Sequence, residues 1–305
     1  MRLLGRLLLL VGAGALGLLL LGPVVLGGQV DAFYGRFTGP PAGSLILGTS
    51  RAAQGIQPAI LAQELGGRFD GPLLNYAFTL THSPYGPAYL RSIRRKLRPD
   101  VRNGLFLVAV DPWSLALTGP EGVFPEDQSF IGQLRQVSQS PNLAYLTHYQ
   151  TKPLYRLPLD YATATEHLHP DGWLEVRIGT DSAQVRARTA RKVQEYRRLA
   201  ASQHLSAGRL RALSQILAFL KQHGRVVLVR LPVGPPLLAL EDKYQPGFNP
   251  LMRQTAAALA VPYLDYSTQP YATTDANHLQ RAASAAFTLR LAADLRAAPA
   301  PPAAP

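Results

Sequence analysis

Short solid apolar runs alternate along this chain with stretches in which apolar residues recur three and four apart. The runs Ser44–Leu47, 73–78, 104–110, 225–231 and 262–265 are bounded by Gly, Pro, Asn or Asp. Strands look like this when both of their faces are covered. Between them, 57–65 reads as a helix, with Pro58 in its first turn and Gly66-Gly67 at its end. In 87–97 the residues Ala88, Leu90, Ile93 and Leu97 share one helical face. Further helices are predicted over 185–201, after a Ser206 cap through Leu210, Leu213, Ile216, Leu217 and Leu220, and over 249–260. Thr274 to His278 opens a last helix, in which Leu279, Ala283, Phe287, Leu291 and Leu295 lie four apart. The segment after Leu231 reads as a Pro-rich loop. Residues 117–179 have no period, and a structureless loop of that length is unusual, so an insertion packed on the main sheet is expected.

Strands separated by helices predict an α/β fold of three layers, α/β/α, with a parallel five-stranded sheet. In such sheets ligands collect at the carboxyl ends of the strands. Ser50, Asn75, Asp111 and the segment after Leu231 all fall there.

The N-terminus departs from this alternation. Residues 7–28 carry no charge and follow Arg2 and Arg6, and about 20 apolar residues suffice to cross a bilayer. Residues 1–28 therefore read as a transmembrane signal anchor, with a cleaved signal as the alternative. The leading arginines orient the rest outward, periplasmic or at the cell surface. Residues 29–43, with Gly39-Pro40-Pro41, read as a linker, 44–296 as the α/β domain, and 297–305 as a disordered Ala/Pro tail.

Composition narrows the chemistry. The 305 residues include no cysteine, which removes thiolate metal sites, disulfides and Cys nucleophiles. The net charge of +12 falls largely on two basic helical stretches, and solvated helix faces account for it. Nucleic acid is not an expected partner, because the outward topology conflicts with it and no recognition motif is present. His167 and His169, flanked by Glu166 and Asp171, read as a polar loop. No metal site and no cofactor are expected.

The organising stretch is Gly48-Thr49-Ser50-Arg51, where a buried run ends on a hydroxyl. A serine needs a base to take its proton. Asp275 and His278, three positions apart, suit that role, since the carboxylate can hold one ring nitrogen while the other faces Ser50. With these residues the chain resembles the SGNH/GDSL hydrolase family. It carries Gly48-Thr49-Ser50 after the first strand and Asp275-Ala276-Asn277-His278-Leu279 near the C-terminus. The resemblance implies a flavodoxin-like fold and a Ser50–His278–Asp275 triad. The anchor and the turn Leu231-Pro232-Val233 look like the membrane-anchored extracytoplasmic branch. That branch includes O-acetyltransferase-like proteins and the thioesterase-like protein of teichoic-acid D-alanylation.

Three departures from the family pattern stand out. Thr49 replaces the usual Asp, no glycine stands near Asn75-Tyr76-Ala77, and Asp111-Pro112-Trp113 occupies the place of Gly-x-Asn-Asp. The oxyanion donors are accordingly expected from the N–H of Ser50 and from Asn75 and Ala77. Arg51, His82, Asp111 and Trp113 are candidates for contact with substrate, with Ser83, Trp173 and Arg230 nearby alternatives. The expected function is an extracytoplasmic serine esterase or O-acyltransferase acting on esters of a cell-envelope glycan or polymer. The rival is an inactive module of the same fold that binds an envelope polymer or partner protein.

Overall fold

The computed structural model describes residues 2–153, 156–157, 159 and 164–297. Helix α1 (Arg2–Leu26) comes first and has no buried residue. It is long and apolar enough to cross a membrane. A short helix α2 (Tyr34–Thr38) leads to strand β1 (Ser44–Leu47). Helices α3 (Ser50–Gly55) and α4 (Pro58–Leu65), strand β2 (Leu73–Asn75), helix α5 (Pro87–Lys96) and strand β3 (Gly104–Ala109) follow.

The middle region adds strand β4 (Ala116–Leu117), helices α6 (Phe130–Gln133) and α7 (Leu143–His148), and a hairpin of β5 (Glu166–Leu168) with β6 (Leu174–Val176). Then come helix α8 (Ser182–Ser202), strand β7 (His204–Leu205), helix α9 (Ala207–Lys221) and strand β8 (Gly224–Arg230). Helices α10 (Pro235–Tyr244) and α11 (Phe248–Ala258), strand β9 (Tyr263–Asp265) and helix α12 (Arg281–Ala297) complete the described residues.

The central sheet runs β2-β1-β3-β8-β9, every pairing parallel. Its strands are mostly apolar because alternate residues feed different cores. Leu45, Leu47, Phe106, Val108, Val226 and Leu228 meet α5, α9 and α11 on one face. Ile46, Leu105, Leu107, Val227 and Val229 meet α3, α4 and α12 on the other. The result is the three-layer α/β/α arrangement expected from the alternation. The chain passes from β1 to β2 on one side and then crosses back past β1 to β3 on the other, so the strand order reverses at β1, where such sheets leave a crevice at the carboxyl ends.

Three expectations are corrected. The segment 29–43 is not a free linker. Val30, Tyr34, Phe37 and Ala42 are buried in the first core, and Lys96 Nζ donates to the carbonyls of Phe37 and Gly39. The aromatic side chains of α2 have more to gain from that core than from water. The Pro-rich loop after Leu231 contains helix α10, because Pro235-Pro236 occupy its first turn, where a missing N–H costs nothing. The last helix begins at Arg281 rather than at Thr274–His278, which is a turn. The expected tail falls almost wholly outside the described residues.

Within the middle region, Glu126 and Arg209 form a buried bidentate ion pair that ties the insertion to α9. The β5–β6 hairpin docks beside β2: Asn75 N donates to Asp171 O, and Trp173 Nε1 donates to Gln54 O in α3. These described parts of the middle region pack against α9, α3 and β2.

Candidate active site

Gly48 turns the chain out of β1. Its φ of +141° is open only to glycine, and a Cβ there would lie 2.9 Å from the Ala109 Cβ. Thr49 then precedes the first turn of α3, and Ser50 opens that helix, half-buried, at the carboxyl edge of the sheet. The Ser50 backbone N–H stands in the first turn of α3. First-turn N–H groups of a helix have no partner within the helix.

The opposing turn is built by Asp275. Its Oδ1 accepts from the backbone N–H groups of Asn277 and His278, both at 2.9 Å. Ala276 takes φ +66°, a conformation costly for any residue with a Cβ. Gly234 makes it possible: its N–H donates to Ala276 O at 2.8 Å, and its bare Cα lets the Ala276 methyl pack against it. Thr274 N–H closes the turn onto His278 O at 2.8 Å.

The structure brings together the three residues first singled out. His278 Nδ1 lies 2.9 Å from Asp275 Oδ2, and His278 Nε2 lies 2.9 Å from Ser50 Oγ. An ionised carboxylate only accepts, so the Nδ1 proton faces Asp275 and the Nε2 lone pair faces the hydroxyl. Burial pushes the Asp275 carboxyl up, but the hydrogen bonds from His278 and from the two backbone N–H groups outweigh it. The carboxyl is held well below the usual range and stays ionised. The arrangement can take the Ser50 proton and steady the imidazolium that results.

The expected oxyanion donors fare differently. The Asn75 amide nitrogen donates to Ala52 O and Ile56 O at 2.8 and 3.0 Å, and its oxygen accepts from Ala77 N–H at 3.2 Å. Both Asn75 and Ala77 are fully buried and committed to holding β2 against α3, so neither is available to substrate. This corrects the expectation. A buried polar side chain must first satisfy its own groups.

The substrate-contact candidates are corrected in the same way. Arg51 is buried, donating through Nε to Asn277 Oδ1 at 2.8 Å and through Nη2 to Glu241. Burial works against its charge, and Glu241 more than restores it. Asp111 caps the turn Pro112–Leu115 by accepting from Trp113 N and Ser114 N, and burial raises its carboxyl. Trp113 stacks on Tyr244 at 4.6 Å and donates from Nε1 to Glu241. Arg230 also reaches Glu241. These groups form one buried charge network behind Ser50 rather than a binding surface. His82 packs between Phe33 and Phe130 and bonds Thr79 Oγ1. Burial and Arg36 lower it to about 4. Ser83 holds Gly48 O, and His169 pairs with Glu175.

Sequence reasoning misses two members of this neighbourhood. Glu241 lies in α10, which reads as a loop. Asn277 stands inside the Asp-x-x-His segment, where the spacing alone makes it look like a spacer.

No family model matches the chain, and no curated protein is similar to it in sequence. Solved structures similar to it include the native aryl esterase of M. smegmatis, at 14% identity and a TM-score of 0.38 over 83% of this chain and 99% of that one. A carbohydrate esterase family 2 enzyme with a carbohydrate-binding domain, from Corynascus thermopiles, has 13% identity and a TM-score of 0.38 over 85% of this chain and 68% of that one.

Proposed function

We propose that the protein is a serine esterase or O-acyltransferase of the SGNH type, held to a membrane by α1, that acts on ester groups of a cell-envelope glycan or polymer. One observation carries the chemistry: the continuous relay Asp275 Oδ2–His278 Nδ1 and His278 Nε2–Ser50 Oγ, each link 2.9 Å. Ser50 Oγ attacks the ester carbonyl carbon while its proton passes to His278 Nε2. The tetrahedral intermediate collapses, the carbon–oxygen bond to the alcohol breaks, and Nε2 returns the proton to the departing oxygen. Water or a second hydroxyl then repeats the sequence on the acyl-enzyme and frees Ser50. A carboxylate-bound imidazole next to a half-buried hydroxyl supports this reading over an inactive module. The apolar α1 behind Arg2 and Arg6 supports an address outside the cytoplasm.

The test is turnover by the detergent-solubilised full chain of p-nitrophenyl acetate and of an O-acetylated polysaccharide, comparing wild type with Ser50→Ala and His278→Ala. Acetate release abolished by both substitutions supports the proposal. Wild-type protein inactive on both substrates, or Ser50→Ala fully active, overturns it.

A further inference from the structure

With Asn75, Ala77 and Asp111 committed elsewhere, the Ser50 N–H calls for a second donor to an oxyanion. The buried Asn277 side chain is placed to supply it. Arg51 Nε donates to Asn277 Oδ1 at 2.8 Å. Because a guanidinium has donors only, that bond fixes the amide: the oxygen must face Arg51 and the NH2 must face the other way. The other way is His278 Nε2, 3.0 Å from Asn277 Nδ2. Arg51 is itself immobilised by Glu241, which also accepts from Trp113 Nε1 and Arg230 Nη2. The buried network therefore acts through Arg51 as a positioning device for one amide.

Two donors now converge on a single lone pair. Ser50 Oγ stands 2.9 Å from Nε2 and Asn277 Nδ2 stands 3.0 Å from it. When Ser50 attacks, its proton fills that lone pair, and the Asn277 N–H loses its acceptor while the amide is still held. A buried donor left unpaired is costly, so the freed N–H favours any acceptor that comes within reach. The acceptor that appears at that moment is the carbonyl oxygen of the substrate, now an oxyanion on the carbon that Ser50 Oγ has joined.

We infer that Asn277 is a catalytic residue, its side-chain N–H leaving His278 Nε2 to stabilise the oxyanion in the tetrahedral intermediate. The interaction strengthens only along the reaction, so it lowers the barrier without tightening the ground state. The inference rests on the serine-esterase reading.

Two substitutions test it in the full chain with p-nitrophenyl acetate. Asn277→Asp keeps an oxygen for Arg51 and removes the donor, while Asn277→Ala removes the donor without adding charge. Rates are taken on the alkaline plateau, because a carboxylate beside His278 moves the acid limb of the Asn277→Asp profile upward. Both variants are expected to lose ~10²–10³ in kcat with KM within about threefold of wild type, and Asn277→Asp to melt with wild type. If Ser50→Ala is inactive but both Asn277 variants keep kcat within about threefold, or lose only KM, the role of Asn277 is overturned and the serine reading survives. If Ser50→Ala is as active as wild type, the serine reading itself fails, and this inference with it.

Discussion

Asp275→Asn is the most informative single change at the site, because the two oxygens of this carboxylate have different partners. Oδ1 accepts from the backbone N–H groups of Asn277 and His278, and Oδ2 accepts from His278 Nδ1. An asparagine has one oxygen and one NH2 to divide between them. Turning the NH2 toward the backbone would set it against two N–H donors and forfeit two hydrogen bonds, worth together about 2 kcal/mol before repulsion is added. The oxygen therefore stays with the backbone, and the NH2 is delivered to Nδ1. That nitrogen must then accept, so the ring proton moves to Nε2, and the lone pair facing Ser50 is lost. Because the turn keeps both backbone bonds, the fold is expected to survive while kcat falls ~10³–10⁴. The assay is steady-state hydrolysis of p-nitrophenyl acetate by wild type and variant, with thermal melts alongside. An Asp275→Asn enzyme that melts normally and turns over within about tenfold of wild type would refute the tautomer argument.

The remaining predictions concern the supports of the site and the domain. Gly234→Ala places a Cβ 2.7 Å from the Ala276 Cβ; overpacking of this kind costs roughly 1–3 kcal/mol. Displacement of the 275–278 turn should lower kcat at least as visibly as the melting temperature, and unchanged kcat would contradict it. Glu126→Gln leaves the Arg209 charge buried without its bidentate partner, and urea unfolding should show a loss of about 3–5 kcal/mol; a loss under about 1 kcal/mol would contradict it. Lys96, lowered by burial to about 7, is neutral in the folded chain but charged in the unfolded chain between about pH 7 and about pH 10.4. The unfolded state binds the extra proton there, so stability rises with pH across that window, by at most ~1.4 kcal/mol per unit. Comparison of urea midpoints at both ends of the window should show a gain in wild type that is smaller in Lys96→Met; equal gains would sink the assignment.

What can be read from the chain without its structure divides along physical lines. The five strands are legible because burial on both faces leaves solid apolar runs, and Ser50, Asp275 and His278 because strand ends and a short Asp-x-x-His spacing place them in the crevice. Helix α10 is hidden by Pro235-Pro236, which look like loop residues although they favour a helix start. The 274–278 turn is hidden because an Asx turn and a helix opening both begin with a carboxylate over backbone N–H groups. The fates of Asn75, Arg51, Asp111 and Trp113 depend on which buried partners the fold gives them. Arg51 and Glu241 are 190 positions apart, and no local pattern announces such a pair.

The central claim is that Ser50 is an activated nucleophile, and covalent capture tests it most directly. A fluorophosphonate probe is added to the full chain in detergent, and the adduct is located by mass spectrometry of its peptides. Ser50 Oγ should displace fluoride at phosphorus, giving a single adduct on Ser50 that is absent from Ser50→Ala and much slower to form in His278→Ala. No adduct on wild-type protein under conditions that label a known serine esterase, or an adduct on another residue, would contradict the claim.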